Sequence, residues 1–235
     1  MGAVLEMTML RPLALLALAA ALLLPGCGND SAAADYQRPV TAIMAKLKAG
    51  RAGPLPTLAT LDAAGTSVLR QALEADKQPI YLVASPSIKY LNLMAPYGLN
   101  GDVQTWASPS YESISLRQDL LVATRGFGAD LMSSTGPSVG VVRAGQGRTS
   151  RSYYYLDGAD QPQSFRYACM LAQAGSEQVT VLGKSFATRK ITESCSGDGD
   201  GFVNEYWFDL SGILRQSRQR IAPGMGNLTL QKVID

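Results

Sequence analysis

The sequence predicts a mainly β domain, an antiparallel β-sandwich or an open barrel, preceded by one or two short N-terminal helices. From Pro79 onward, short runs rich in Val, Ile, Tyr, Thr and Phe are broken by Gly, Asn, Asp or Pro at the spacing of antiparallel domains. No helical crossover pattern intervenes, so strands adjacent in sequence are expected to be adjacent in the sheet. Roughly 200 residues beyond the leader are enough to bury one substantial core.

The leader comes first. Arg11 precedes an apolar run over residues 12–24 (PLALLALAAALLL), followed by Pro25-Gly26-Cys27. The run has the length of a signal-peptide core and falls short of the roughly 17–25 apolar residues of a permanent span. Leu24-Pro25-Gly26-Cys27 has the form of a lipobox, in which the Cys27 thiol takes a diacylglycerol and the chain is cut just before it. Residues 1–26 are therefore expected to be removed; an ordinary signal peptide or a buried apolar helix, with an incidental Cys, is the alternative. Glu6 weakens the positive start of the leader, so Met7 or Met9 is an alternative initiation site. A further N-acyl chain would make the anchor long-lived, because single chains hold only marginally. Gly28, rather than Asp, follows Cys27 and favours delivery to the outer membrane of a Gram-negative cell. Residues 27–34 are small and polar, a flexible tether. Residues 35–235 form the single mostly β domain.

Within that domain, residues 40–47 (VTAIMAKL) repeat apolar positions at helical spacing, and Gly50 and Gly53-Pro54 close the helix. A second short helix is expected over residues 63–75. Residues 88–96 and 102–107 are expected to pair through a type I′ turn at Asn100-Gly101. Strands follow at 112–117, 120–124 and 152–156, the last ending in a turn at Asp157-Gly158. Further strands are expected at 164–171, 178–182, 187–191, 202–208, 214–219 and 228–233. Leu228-Thr229-Leu230-Gln231 shows the alternation of a sheet with two unlike faces.

Composition excludes several function classes. Histidine is absent, which removes the usual general base near neutral pH, the usual zinc ligand and every Ser-His or Cys-His pair. A formal charge of +2 with 17% charged residues is not the footprint of a nucleic-acid binder, so nucleic acid is not expected as a partner. Once Cys27 carries lipid, Cys169 and Cys195 remain as a pair in an oxidising compartment. A disulfide is the economical reading; two buried free thiols or a metal pair are the alternatives. No metal and no cofactor is expected.

Several constellations admit a functional and a bland reading. Thr124-Arg125-Gly126-Phe127-Gly128-Ala129-Asp130 is glycine-rich but lacks the strand-to-helix context of a phosphate loop. It reads as a strand end and turn, with Asp130 pairing Arg125 or capping the backbone. Asp198-Gly199-Asp200-Gly201, with Glu205 beyond, invites a calcium reading, yet Phe202 sits where a third ligand should be, so a solvated turn is expected. Trp106, Trp207 and Tyr153-Tyr154-Tyr155 could stack on sugars or pack in the core, and strand parity puts Tyr153 and Tyr155 on one side. Arg215, Arg218 and Arg220 form a basic patch suited to an acidic polysaccharide, or else a solvated sheet face.

Three segments carry a family resemblance: Tyr97-Gly98-Leu99-Asn100-Gly101-Asp102-Val103-Gln104-Thr105-Trp106, then Ala123-Thr124-Arg125-Gly126-Phe127-Gly128-Ala129-Asp130-Leu131, and Ser217-Arg218-Gln219 leading to Pro223. With the lipobox, they resemble the YjbF-type lipoproteins, also called group 4 capsule polysaccharide lipoproteins. Arg220 departs from the family pattern, which has an aromatic there. The resemblance implies a part in making or exporting extracellular or capsular polysaccharide, alongside an outer-membrane β-barrel partner and other periplasmic factors, and it implies no catalytic activity. The expectation is a non-enzymatic accessory lipoprotein on the periplasmic face of the outer membrane. It would contact a partner protein, a glycan or both through Trp106, Arg125, Asp130, Tyr153, Tyr155, Arg218 and Gln219. The alternatives are a purely structural envelope lipoprotein, or a carbohydrate-active enzyme using two carboxylates drawn from Asp102, Asp130, Glu193, Glu205 and Asp209.

Overall fold

A computed structural model describes residues 63–235. The leader, Cys27, the tether and the helix expected at residues 40–47 lie outside the described residues. Helix α1 (Ala63–Asp76) leads into strands β1 (Ile80–Ser85), β2 (Tyr90–Asn100), β3 (Val103–Ala107), β4 (Ser113–Arg117), β5 (Leu120–Arg125) and β6 (Ser133–Thr135). Helix α2 (Val139–Ala144) follows, then β7 (Gly147–Leu156), β8 (Pro162–Val181), β9 (Lys184–Gly197), β10 (Phe202–Asp209), β11 (Leu214–Ala222) and β12 (Gly226–Ile234).

All twelve strands belong to one sheet, in the order β5-β4-β3-β2-β1-β12-β11-β10-β9-β8-β7-β6. Every ladder is antiparallel; β1 pairs with β12, and the edges of the sheet are β5 and β6. Those edges meet across a seam closed largely by side chains. The Leu121 N–H donates to Gln219 Oε1 at 3.0 Å, and Ser134 Oγ donates to the Leu121 carbonyl at 3.1 Å. Just before β6, the Thr124 N–H donates to the Leu131 carbonyl at 2.9 Å. The result is a nearly closed, barrel-like antiparallel sheet, which resolves the choice between sandwich and barrel.

Gln219 thus does the work of a missing strand at one position. Gln219→Leu should leave the buried Leu121 N–H unpaired and lower stability by about 1–3 kcal/mol. Urea unfolding with an unchanged slope and a lower midpoint is the expected readout; an unmoved midpoint would contradict this role.

Strand parity separates two cores. Tyr81 and Val83 of β1 face inward with Met94, Ile114, Leu121, Leu228 and Leu230. Ile80 and Leu82 face outward and pack with Leu93, Val233 and Trp207 beneath Leu69 and Leu73 of α1. The far half of the β8–β9 hairpin joins this outer layer through Val179 and Val181, beyond a bulge between Gln173 and Ser176. Arg70 ties helix to hairpin, its guanidinium donating to the carbonyls of Leu182, at 2.7 Å, and Val181. Glu177 on the same hairpin accepts from the Trp207 indole N–H.

Cys169 and Cys195 lie directly opposite each other on β8 and β9 and are joined by a disulfide, with Cα atoms 4.1 Å apart. That separation is the close, non-hydrogen-bonded kind of antiparallel pair.

The strands fall where the composition changes after Pro79, but several details differ from expectation: β1 and β6 lie outside the expected strands, and β7 begins at Gly147. The β2–β3 hairpin turns at Gly101-Asp102, because Asn100 pairs with Val103. Positive φ falls on Gly101 alone, at 59°, the pattern of a type II′ turn and not of type I′. Strand β8 joins two segments expected as separate strands, since residues 172–178 are exposed on both faces and carry no hydrophobic alternation, and its partner β9 is also longer than expected. Helix α2 has too few residues to show a period. It is set by its caps: the Ser138 hydroxyl accepts the Val141 N–H, and Gly145 takes a left-handed φ of 68°. A Cβ at Gly145 would lie 2.4 Å from Ile191 Cδ1, so only glycine lets the helix end this close to β9.

Candidate functional site

In a sheet of successive hairpins, alternate turns gather at the same end. One end collects the turns at residues 86–89, 108–112, 126–132, 157–161, 198–201 and 223–225, and is called here the upper end; the other carries α2 and the C-terminal Asp235. Inward-facing residues near the upper end of β7, β8, β10 and β11 are aromatic, with one arginine among them. Tyr153 packs edge-on to Tyr167 at 5.9 Å and to Phe202 at 5.6 Å between centroids. Tyr155 lies parallel to Tyr153 at 6.2 Å and edge-on to Phe165 at 5.8 Å. The Arg220 guanidinium carbon sits 4.9 Å from the Phe202 ring centroid, a cation–π distance.

Arg220 reaches this position through a break in strand parity. The β10–β11 ladder runs to Glu205 opposite Arg218; beyond it, Asn204 Oδ1 accepts the Arg220 N–H at 2.9 Å. Gln219 and Arg220 are consequently both buried, at 2% and 8% exposure. The three arginines of the expected basic patch are in fact separated. Arg215 pairs with Asp209 at 2.7 Å and Asp235 at 2.6 Å at the lower end, and Arg218 pairs with Glu205. Arg220 has no carboxylate partner among the described residues.

The upper cluster also holds unmet hydrogen-bonding capacity. The Tyr155 and Tyr167 hydroxyls and Arg220 Nε are buried and have no hydrogen-bond partner, as is Trp106 Nε1 in the same core. Buried polar atoms are almost always paired, so several orphans in one core call for an explanation. Burial pushes both tyrosine hydroxyls above the usual phenol value, against the opposing pull of Arg220. Both are therefore protonated donors at neutral pH. The 198–201 turn closes over Tyr167: a Cβ at Gly199 would lie 2.6 Å from its hydroxyl.

The rim beside this cluster is held by Asp130. Its carboxylate accepts from the Gly126 N–H at 2.7 Å, the Phe127 N–H at 3.2 Å and the Thr124 hydroxyl at 2.8 Å. The amides that a phosphate loop would offer its ligand are thus taken by the chain's own carboxylate, and Asp130 caps rather than pairing with Arg125. Arg125 donates to the carbonyls of Leu131 at 3.1 Å and Met132 at 3.3 Å. Phe127 packs edge-on to Tyr90 at 4.9 Å.

Deeper in the barrel lies a satisfied ionic network. Glu193 is fully buried and accepts from Arg151 Nε at 2.8 Å, the Tyr206 hydroxyl at 2.9 Å, Asn204 Nδ2 at 3.0 Å and the Thr149 hydroxyl at 3.2 Å. Asn204 therefore bonds Glu193 with one end of its amide and the Arg220 backbone with the other.

Two cavities adjoin at the seam, away from the aromatic cluster. One of about 240 Å³ is lined by Arg117, Gln118, Ser134, Ser138 and Arg151, among others, and one of about 430 Å³ by Asn100, Thr105, Ser115 and Ser133. They share Asp102 and Arg117, themselves paired at 2.9 Å. Neither has an aromatic lining residue on which a sugar ring could stack.

Of the residues expected to make contacts, Tyr153 and Tyr155 come together in the upper cluster, with Arg125 at the end of β5 and Asp130 in the 126–132 turn at the same end. Trp106 is interior, edge-on to Tyr81 at 4.7 Å, and Gln219 closes the seam. Trp106, Tyr153, Tyr155 and Gln219 therefore lie inside the barrel, where strand parity turns them toward the core. Arg218 is on the outer face, paired with Glu205. Tyr167, Phe165, Phe202 and Arg220 were absent from the expected set. The parity that unites Tyr153 with Tyr155 also unites Phe165, Tyr167 and Cys169, and could have found the β8 pair. Nothing local marks the break that turns Arg220 inward.

Successive antiparallel hairpins curled into a nearly closed sheet, with aromatic side chains and an arginine inside one end, define an up-and-down, barrel-like β protein. The chain belongs to the family of group 4 capsule polysaccharide lipoproteins (gfcB, YjbF), whose sequence model matches residues 55–233. Among solved structures it is similar to the hypothetical lipoprotein YmcC from Escherichia coli K12, at 16% identity and a TM-score of 0.63, covering 71% of this chain and 88% of that one. That likeness extends the fold to a second lipoprotein. A comparison with curated proteins returns no significant match.

Proposed function

We propose that this protein is a non-enzymatic accessory factor in capsule or exopolysaccharide secretion, acting from the periplasmic face of the outer membrane. Cys27 is its lipidated anchor, and the barrel binds glycan, a secretion protein or both, an outer-membrane β-barrel being the leading protein candidate. The observation that carries this reading is the family match, which spans residues 55–233 and therefore nearly all of the barrel. Membership supports an envelope lipoprotein tied to capsule polysaccharide; the Gly28 that follows Cys27 supports the outer membrane.

The carboxylates favour binding over catalysis. Asp102 pairs with Arg117, Glu193 with Arg151, Glu205 with Lys190 and Arg218, and Asp209 with Arg215, while Asp130 caps a turn. A glycosidase instead sets two carboxyl groups about 5–10 Å apart on either side of its substrate.

The test is deletion of the gene with measurement of surface polysaccharide, joined to capture of the tethered protein from cross-linked envelopes. Loss of exported polymer and recovery of an outer-membrane secretion protein or of polymer are expected. Unaltered export in the deletion strain would defeat the reading.

A further inference from the structure

The upper end of the barrel combines three features that a folded interior rarely carries together. Arg220 is nearly buried yet has no carboxylate partner among the described residues, and its Nε has no acceptor. The Tyr155 and Tyr167 hydroxyls beside it are likewise unaccepted donors. Around them stand the ring edges and faces of Tyr153, Phe165 and Phe202. An unpaired cation and idle donors are destabilising in a closed core, where desolvation is not compensated. The deeper Arg151 shows how this same chain satisfies a buried arginine when the role is structural: Glu193 meets it at 2.8 Å.

We infer that Arg220, Tyr155 and Tyr167 form a binding site for a carboxylate-bearing sugar of an acidic polysaccharide. The carboxylate would accept from the guanidinium and the tyrosine hydroxyls, a geometry for which the planar arginine fork is suited. The aromatic surround offers apolar faces to the C–H side of the ring. Asp198 and Asp200, in the turn above Tyr167, supply acceptors for ring hydroxyls; both act electrostatically on Tyr167, and Asp198 also receives the Arg166 N–H at 2.9 Å. Entry requires the 198–201 turn to yield, since its backbone lies against the Tyr167 hydroxyl.

This assignment rests on the reading of the protein as a polysaccharide factor and narrows it to a ligand class. The experiment uses the purified mature protein with tetragalacturonate and with its methyl ester, in which each carboxylate is a neutral –COOCH3 group. Calorimetric titration should show the acid bound at least tenfold more tightly than the ester. Arg220→Gln should remove at least tenfold of the affinity for the acid while leaving the thermal midpoint unchanged or raised, because an unpaired buried charge has been removed. Tyr167→Phe, which deletes only the hydroxyl, should weaken binding several-fold at an unchanged midpoint. Equal binding of acid and ester, binding of neither, or full affinity in folded Arg220→Gln would each overturn the assignment. Such a failure would leave the secretion role standing, since that role is read from polymer export in the deletion strain.

Discussion

Glu193→Ala should be the most destabilising single substitution in the barrel interior, by about 3–5 kcal/mol, because it strands the Arg151 guanidinium without its counter-ion. Arg151 and Glu193 are 3% and 0% exposed and lie on different strands, β7 and β9, so no other carboxylate is at hand to take over. Truncation also frees Asn204 Nδ2 and the Thr149 hydroxyl, while Tyr206 keeps only its bond from Arg151. In the intact barrel, burial holds the Tyr206 hydroxyl well above the ordinary phenol value against the pull of Arg151. The double substitution Arg151→Met with Glu193→Leu should recover much of the loss, since a buried pair replaced by apolar side chains is often neutral. Denaturant unfolding of the two variants checks both points. A loss under about 1 kcal/mol for Glu193→Ala would contradict a structural role for the pair.

Removal of the Cys169–Cys195 disulfide should have the next largest effect, roughly 3–4 kcal/mol from the freed loop entropy of a bridge spanning 26 positions. At about 2–4 °C per kcal/mol for a domain of this size, the thermal midpoint should drop by on the order of 10 °C. The fold itself should persist. The two cysteines are already opposed in the longest hairpin, whose ladder continues on both sides of the bridge from Tyr167 opposite Gly197 to Val181 opposite Lys184. Melting with and without a thiol reductant measures this in the native protein, and the Cys169→Ala, Cys195→Ala pair should melt at the reduced temperature in either condition. A reductant-insensitive melt of unmodified protein would contradict a stabilising bridge.

The sequence was most legible where burial alternates. Leu228 and Leu230 face the interior while Thr229 and Gln231 do not, and that pattern alone placed β12. The disulfide was legible from cysteine count and compartment. The seam was not, because a side-chain amide such as Gln219 replacing a ladder bond has no local signature. Nor was the full length of β8, whose residues 172–178 are exposed on both faces and paired through the ladder to β9. For the candidate site, parity joined Tyr153 to Tyr155 but could not say which side of the sheet was interior. Arg220 was hidden for a different reason: its inward turn depends on Asn204, sixteen positions away, inserting into the β10–β11 ladder.

The placement of Arg220 also reframes the basic run near the C-terminus. Arg215, Arg218 and Arg220 look like one patch at period 2, yet two of them are neutralised by Asp209, Asp235 and Glu205. Burial alone would favour the neutral form of Asp209, but Arg215 and the Ile213 and Ser211 amides outweigh it and hold its carboxyl below the ordinary value. What distinguishes Arg220 is the absence of such a partner within an aromatic surround.

The central claim, a barrel that serves polysaccharide export from a lipid anchor, is tested most directly by complementing a deletion strain with wild-type and Cys27→Ser genes and measuring exported polymer beside membrane fractionation. Wild type should be membrane-held and restore export, whereas the Cys27→Ser protein should leave the membrane fraction and fail to restore it. Membrane retention and full restoration by Cys27→Ser would contradict the account.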